Sequence, residues 1–417
     1  MLTEQASPTN RWRIPIVLAV TLFINYLDRN NLALVMPRLA DEFGWSDREV
    51  GANGELLLGA FFLSYALSNM LLSPWAERLG PKRSLMLAIL AFSIVTFLSA
   101  PLGQSLAALI GLRLLLGLGE GVHIPMLSTI TSRWFLPGER SRANALWGSG
   151  ILIATATAPL MIIPLVSAWG WRFAFALLGA GGMLISIPLV YFLVQDQPLP
   201  AFLGAFQSDL LAQPSGITES GRAKPDQSYR RDRRFWLTVL GGILNAFCAF
   251  GLLNWLPSYF NRAKGIDFEQ LGWPLALVFT AGIAGIGLMA YWGDRLQNRI
   301  QLAGWGFLAA ALMAYVASSV SSLALLVLFF ALAVFCQSAY AAQEYAIVQR
   351  LLPADQVGAG TGLYNGLSIL FGGVGGSLVP GSIVAATGSF ESGILSIIVG
   401  AVLAAGFMFL LSRLMRY

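Results

Sequence analysis

Five ionisable side chains fall where an apolar membrane core would be. In Gly111–Pro125 (GLRLLLGLGEGVHIP), Arg113, Glu120 and His123 interrupt an apolar run, roughly Leu106–Ile130, long enough to cross a bilayer. In an earlier run, Asn25-Tyr26-Leu27-Asp28-Arg29 sets an acid beside a base. A charge at bilayer depth costs about 2.5–3.5 kcal/mol even on insertion-based scales, so such groups pair, line water or carry function. Arg113 and Glu120 are two helical turns apart and share a face, with His123 a neighbour of Glu120 at i+3. Asn25, Asp28 and Arg29 share an arc of about 100°. The chemistry open to such a set is proton transfer and anion binding. An adjacent acid and base compensate each other in a dry cavity, and a proton on Asp28 leaves Arg29 free for an anion. The competing reading is a static ion pair that pins helices together.

The elements that must position these groups follow from composition. The chain has 417 residues, 56% hydrophobic and 11% charged, with a mean hydropathy of +0.69. Soluble domains carry about 25% charged residues, so this is a polytopic membrane protein. Cys248 and Cys336 both lie in apolar runs and imply neither a disulfide framework nor a metal site. No cofactor, no nucleic-acid partner and no catalytic constellation are expected, and no cleavable signal is expected ahead of the first apolar run. Twelve runs of spanning length are predicted: 14–37, 51–74, 84–103, 105–130, 143–166, 173–194, 235–259, 271–292, 301–320, 323–347, 358–386 and 391–412. A polar segment, 195–234, divides an N-terminal half (1–194) from a C-terminal half (235–417), giving an all-α membrane protein with two six-helix halves.

Lys and Arg set the orientation. With both termini cytoplasmic, 19 of the 26 fall on that side, five on the other and two within spans. The halves repeat: Trp75-Ala-Glu77-Arg78 after the second span matches Trp292-Gly-Asp294-Arg295 after the eighth. In the same register Asp28 corresponds to Asn245 and Glu120 to Gln337, so proton handling is expected in the N-terminal half and neutral ligands in the other. Repeats of this kind place a binding site between the halves near the bilayer midplane. Glu77, Arg78, Asp294 and Arg295, with Arg140 and Glu344, are read as a cytoplasmic charge latch; Glu344 is expected to pair with Arg350 or another loop arginine. Tyr65, Asn245, Gln337 and Asn365 are polar at membrane depth and can read a substrate, or can serve packing. Pro257 is expected to end or kink its helix.

The loop Ser73-Pro-Trp-Ala-Glu77-Arg78-Leu-Gly80-Pro-Lys82-Arg83 resembles the signature of the major facilitator superfamily, departing from it at Ser73, Glu77 and Pro81. Asn25-Tyr26-x-Asp28-Arg29, Phe61-Phe62-x-x-Tyr65-Ala66, Arg113-x-x-x-Gly117-x-Gly119-Glu120 and Trp134-Phe135-x-Pro-x-Glu139-Arg140 resemble the anion:cation symporter family within it. That family includes bacterial galactonate and hexuronate transporters, sialin and vesicular glutamate transporters. The resemblance implies twelve helices, alternating access, proton sites at Asp28 and Glu120, and anion binding by Arg29 and Arg113. The family often continues Gly-Glu-Ala-Pro-x-Phe-Pro, where this chain reads Gly119-Glu120-Gly121-Val122-His123-Ile124-Pro125. Spinster-like lipid transporters share the Asn-x-x-Asp-Arg opening and the Gly-Glu pair.

The sequence therefore predicts a proton-coupled symporter of a small organic anion such as a sugar acid, with a spinster-like lipid transporter or proton-coupled exporter as the alternative. Asp28, Glu120 and His123 are the proton-coupling candidates. Arg29, Arg113, Tyr65, Asn25, Asn245, Gln337 and Asn365 are the substrate-binding candidates. The expected setting is a multi-pass monomer among the lipids of a bacterial inner membrane.

Overall fold

The computed structural model describes residues 10–135, 137–196, 228–296, 298–353 and 357–415. Most of the expected connecting segment, 197–227, lies outside them. The described residues form helices throughout: α1 (Arg13–Phe43), α2 (Asp47–Leu71), α3 (Ser73–Leu79), α4 (Pro81–Leu102), α5 (Leu106–Glu120), α6 (His123–Trp134), α7 (Pro137–Gly181) and α8 (Ile187–Leu193) in the first half. The second half holds α9 (Arg233–Ser258), α10 (Gly272–Leu296), α11 (Arg299–Ser319), α12 (Leu323–Arg350), α13 (Val357–Leu367), α14 (Val374–Thr387) and α15 (Phe390–Leu414).

Among the described residues, ten stretches are long and apolar enough to cross a membrane. One of them, Arg142–Leu193, has 52 residues and crosses twice, the chain reversing at Gly170, whose φ of 79° only glycine adopts without strain. The remaining crossing is α1, whose 31 residues reach about 46 Å at 1.5 Å each. Its internal charges lower its hydropathy without shortening it. Twelve crossings result among the described residues, as the apolar runs predict.

Local sequence sets the ends of these helices. Ser46 caps α2 and Glu49 reaches back to the Ser46 N–H at 2.8 Å, a reciprocal box that starts the helix sharply. Pro81 opens α4, where a missing N–H costs nothing. Pro257 does not stop α9; the chain runs on into a π-helical turn, Tyr259–Ala263, closed by the Lys264 N–H donating to the Tyr259 carbonyl at 3.2 Å. Another π-helical turn, Ser368–Gly373, joins α13 to α14.

The hydrogen bonds and ion pairs that join the two halves among the described residues gather at the end opposite the chain termini. Arg38 pairs with Glu269, and Ser382 donates to Glu55. Arg262 holds Asp41 at 2.7 Å with Asp47 at 3.8 Å, and Arg48 donates to the Ala386 carbonyl at 2.8 Å. Beneath these contacts α2 and α14 touch backbone to backbone: a Cβ on Gly51 would stand 2.4 Å from the Ala385 nitrogen and 2.8 Å from the Gly381 oxygen. Gly51→Leu is therefore expected to spread this end while leaving each half folded. With Arg38→Cys and Glu269→Cys introduced, disulfide formation between the two positions should fall at least several-fold in the Gly51→Leu background, with an unchanged circular-dichroism spectrum.

Candidate functional site

The crossing that carries the glutamate is broken. α5 stops at Glu120 and α6 starts at His123, with Gly121 and Val122 between them. Three glycines allow the break to pack. Gly117 and Gly121 face α2, where an added Cβ would meet Ser64 Oγ at 2.1 Å and Ser68 Cβ at 2.5 Å; Gly119 faces Phe92 of α4. Helix 2 then satisfies carbonyls near the interruption: Ser68 Oγ donates to Leu118 O at 2.7 Å and Asn69 Nδ2 to Gly121 O at 3.1 Å. Irregular backbone at membrane depth is tolerated where protein re-satisfies it in this way.

Glu120 is fully buried and faces α1, where it accepts from Arg29 Nη2 at 2.9 Å and Nε at 3.1 Å, both through Oε2. The guanidinium is enclosed by aromatic faces, with Tyr26 and Tyr65 each 4.4 Å from its carbon and Phe61 at 5.3 Å. Its Nη1 donates to the Tyr26 hydroxyl at 3.1 Å. Asp28 does not compensate Arg29, as adjacency in sequence suggested. Neighbouring helical residues diverge by 100°, and Asp28 turns the other way. Its Oδ1 accepts from Asn31 Nδ2 at 2.9 Å and its Oδ2 from Thr96 Oγ1 at 2.5 Å. Arg113 joins this second group through Asn31 Oδ1 at 2.8 Å, so it bonds to an amide and not to Glu120. Two acids and two arginines thus balance in one buried cluster, in two subsets.

The other predicted residues divide. His123 is fully buried but hydrogen-bonds Thr21 Oγ1 at 3.3 Å and stacks on Phe92, so among the described contacts it does not touch Glu120. The helix break sends the two side chains apart. Asn25 is buried within the cluster and lines no described cavity. Tyr65 covers Arg29 with its face. Gln337 Nε2 reaches Asn245 Oδ1 and O, each at 3.3 Å, joining the two second-half counterparts of Glu120 and Asp28. Both line a cavity of about 260 Å³ between the halves, together with Tyr26, Thr155, Phe250 and Ser338. Asn365 is exposed and outside this cavity; α13 turns the preceding Tyr364 inward instead. A larger depression of about 530 Å³ between α9, α14 and α15 is lined by apolar side chains and two serines, away from the charges.

The latch is also rearranged. Glu77 and Arg78 are exposed on α3, and Arg78 lies over Trp75 at 5.6 Å with no ion pair between them. The loop is held by Asp196, which accepts from the Lys82 N–H at 2.7 Å, while Lys82 Nζ donates to Tyr191 O at 2.7 Å. Arg140 caps the end of α6 through Ser132 O at 2.9 Å and Phe135 O at 3.1 Å. Arg295 lies exposed over Tyr291 at 4.8 Å; the side chain of Asp294 is outside the described residues. Glu344 accepts from Tyr364 at 2.8 Å, and Tyr364 meets Tyr340 at 2.8 Å, so its described partner is a hydroxyl chain and not an arginine. Outside the spans, the Arg234 side chain bonded to Asp232 holds that carboxyl below its usual range.

Residues 18–268 and 260–416 match the Major Facilitator Superfamily. The chain belongs to this superfamily. It is 28% identical over 407 residues to a probable sulfoacetate transporter of Cupriavidus necator, covering 94% of this chain and 90% of that one. It is 24% identical to a hexuronate transporter of Bacillus subtilis, with 92% and 90% covered, and 26% identical to a probable L-galactonate transporter of Escherichia coli, with 92% and 84% covered. Among solved structures, a bacterial homologue of the human lysosomal transporter Spinster superposes with a TM-score of 0.81 at 19% identity over 98% of both chains. A D-xylose–proton symporter superposes at 0.72 and 15% identity, over 96% and 97%. The chain is an integral, multi-pass transporter and not an enzyme.

Sequence reasoning missed Thr21, Asn31 and Thr96. Asn31 had a signal, three residues after Asp28 in an apolar run. Thr96 had none, because threonine in a membrane helix ordinarily bonds its own backbone. Removing one partner of a buried ion pair strands the other at about 3–5 kcal/mol. Glu120→Leu should therefore lower the thermal stability of the detergent-solubilised protein markedly, and the Arg29→Met/Glu120→Leu double variant should recover most of the loss.

Proposed function

We propose that the protein is a proton-coupled symporter of a small organic anion, working by alternating access. One observation carries the proposal: Arg29 is bound to buried Glu120 while its Nη1 reaches the hydroxyl of Tyr26, a wall of the cavity between the halves. The cluster of Asp28, Arg29, Arg113 and Glu120 is neutral when all four are ionised. Adding an anion to it at low dielectric needs a compensating positive charge, and a proton on a carboxylate supplies one. A proton on Glu120 weakens its hold on Arg29, whose guanidinium then binds the anion from the cavity side. Asn245 and Gln337 offer neutral donors and acceptors from the facing half.

The names of the relatives favour sulfonate, uronate and aldonate anions. The cavity volume, about 260 Å³, lies below the roughly 300–1,000 Å³ of drug-sized pockets and favours such small solutes over lipids. The Lys and Arg bias favours cytoplasmic termini, with the charged seal of Arg38, Glu269 and Arg262 on the outer face.

The test is uptake into proteoliposomes presented with sulfoacetate, D-galactonate and D-glucuronate. An inward-directed proton gradient should drive accumulation of at least one of them. Glu120→Gln, which mimics the protonated acid, should abolish gradient-driven accumulation while preserving anion exchange. Accumulation indifferent to the gradient would remove the coupling scheme.

A further inference from the structure

We infer that the proton accepted by Asp28 resides on one defined oxygen, Oδ2, and that Asn31 and Thr96 are the positioning residues that impose this choice. The inference rests on the proton-coupled reading and assigns roles to two residues that its motifs do not include.

A guanidinium only donates. Arg113 Nη2 stands 2.8 Å from one end of the Asn31 amide, so that end is the carbonyl oxygen. The other end, 2.9 Å from Asp28 Oδ1, is then the amide NH₂ and must donate. Oδ1 is thereby held as an acceptor, and a hydrogen placed on it would face another hydrogen. Oδ2 faces Thr96 Oγ1 at 2.5 Å, and a hydroxyl both donates and accepts. When Asp28 is ionised, Thr96 donates to Oδ2. When a proton arrives, the Oδ2–H bond forms and donates to Thr96, whose own hydrogen turns away. A helical threonine has the carbonyl four residues back, that of Phe92, as the ready acceptor. No bond to Asn31 needs to break, so the site changes charge by rotating one hydroxyl.

The arrangement also ties Asp28 to Arg113. Burial removes water as an alternative partner, since Asp28 is 2% exposed and Asn31 fully buried. The amide keeps its orientation only while Arg113 holds its oxygen. If Arg113 is drawn toward an anion, Asn31 is free to turn and Oδ1 loses its fixed donor. Arg113 and Glu120 are the charged groups that face Asp28 from the neighbouring helix α5, while Arg29 on α1 itself is turned to Glu120.

Infrared difference spectroscopy of the full-length protein in lipid tests this without any transported anion, so it can fail independently of the symport reading. The Asp28 carboxylic C=O band is assigned by its loss in Asp28→Asn on acidification. With the proton on Oδ2, the carbonyl oxygen is Oδ1. Asn31→Leu should then move the band to higher frequency by removing its hydrogen bond, Thr96→Val should leave it nearly in place, and Arg113→Met should broaden or split it. Thr96→Ser should reproduce the wild-type spectrum and pH profile where Thr96→Val alters the profile. The reverse pattern, with Thr96→Val moving the band and Asn31→Leu leaving it fixed, would overturn the assignment. So would an Asp28-dependent band that appears at no pH, or an Arg113→Met band identical to wild type.

Discussion

A guanidinium pressed between two tyrosine rings and tied to a carboxylate is stable in a bilayer only while both charges are present. Everything around Arg29 and Glu120 serves that condition. Both side chains are buried, 5% and 0% exposed, so neither group can be left alone without a penalty of several kcal/mol. The aromatic faces of Tyr26 and Tyr65 give the cation a favourable electrostatic surface that needs no counter-charge of its own. A pair held in this way is stable as long as neither charge is lost, and under the proposed scheme a proton on Glu120 is what loosens it.

Bringing the two charges together shapes the fold nearby. Glu120 reaches α1 because its own helix ends there, and that helix can end there because Ser68 and Asn69 of α2 bond the carbonyls around the break. The glycines at 117, 119 and 121 bring α2 and α4 close enough for this. The second subset, Asp28 with Asn31, Thr96 and Arg113, uses an amide as spacer where direct contact of acid and base would have made a second rigid pair. The two subsets therefore differ in stiffness: one is a direct ion pair, the other a chain whose middle member can turn. On the opposite wall, Asn245 and Gln337 bond each other without charge.

Much of this was legible in the residues. Charges in apolar runs marked the cluster, the repeat marked the neutral counterparts, and the Lys and Arg distribution matched twelve crossings. Pairing was not legible. Asp28 and Arg29 are adjacent in sequence and divergent in space, while Arg29 and Glu120 are 91 residues apart and bonded. Helical wheels describe single helices and cannot say which face meets which neighbour. Glu77 and Arg78 read as a latch from the motif alone, yet Asp196, far along the chain, holds that loop through the Lys82 N–H. Asn365 read as a cavity ligand because it is polar at membrane depth, and the adjoining Tyr364 takes the inward position.

The central claim is that Arg29 is reserved by Glu120 until that acid loses its charge. The most direct measurement is a structure of the Glu120→Gln variant in lipid nanodiscs at a resolution that shows side chains. The account predicts that the Arg29 guanidinium leaves α5 and turns past Tyr26 toward the cavity between the halves. An Arg29 that stays against residue 120, with Tyr26 and Tyr65 unmoved, would contradict it.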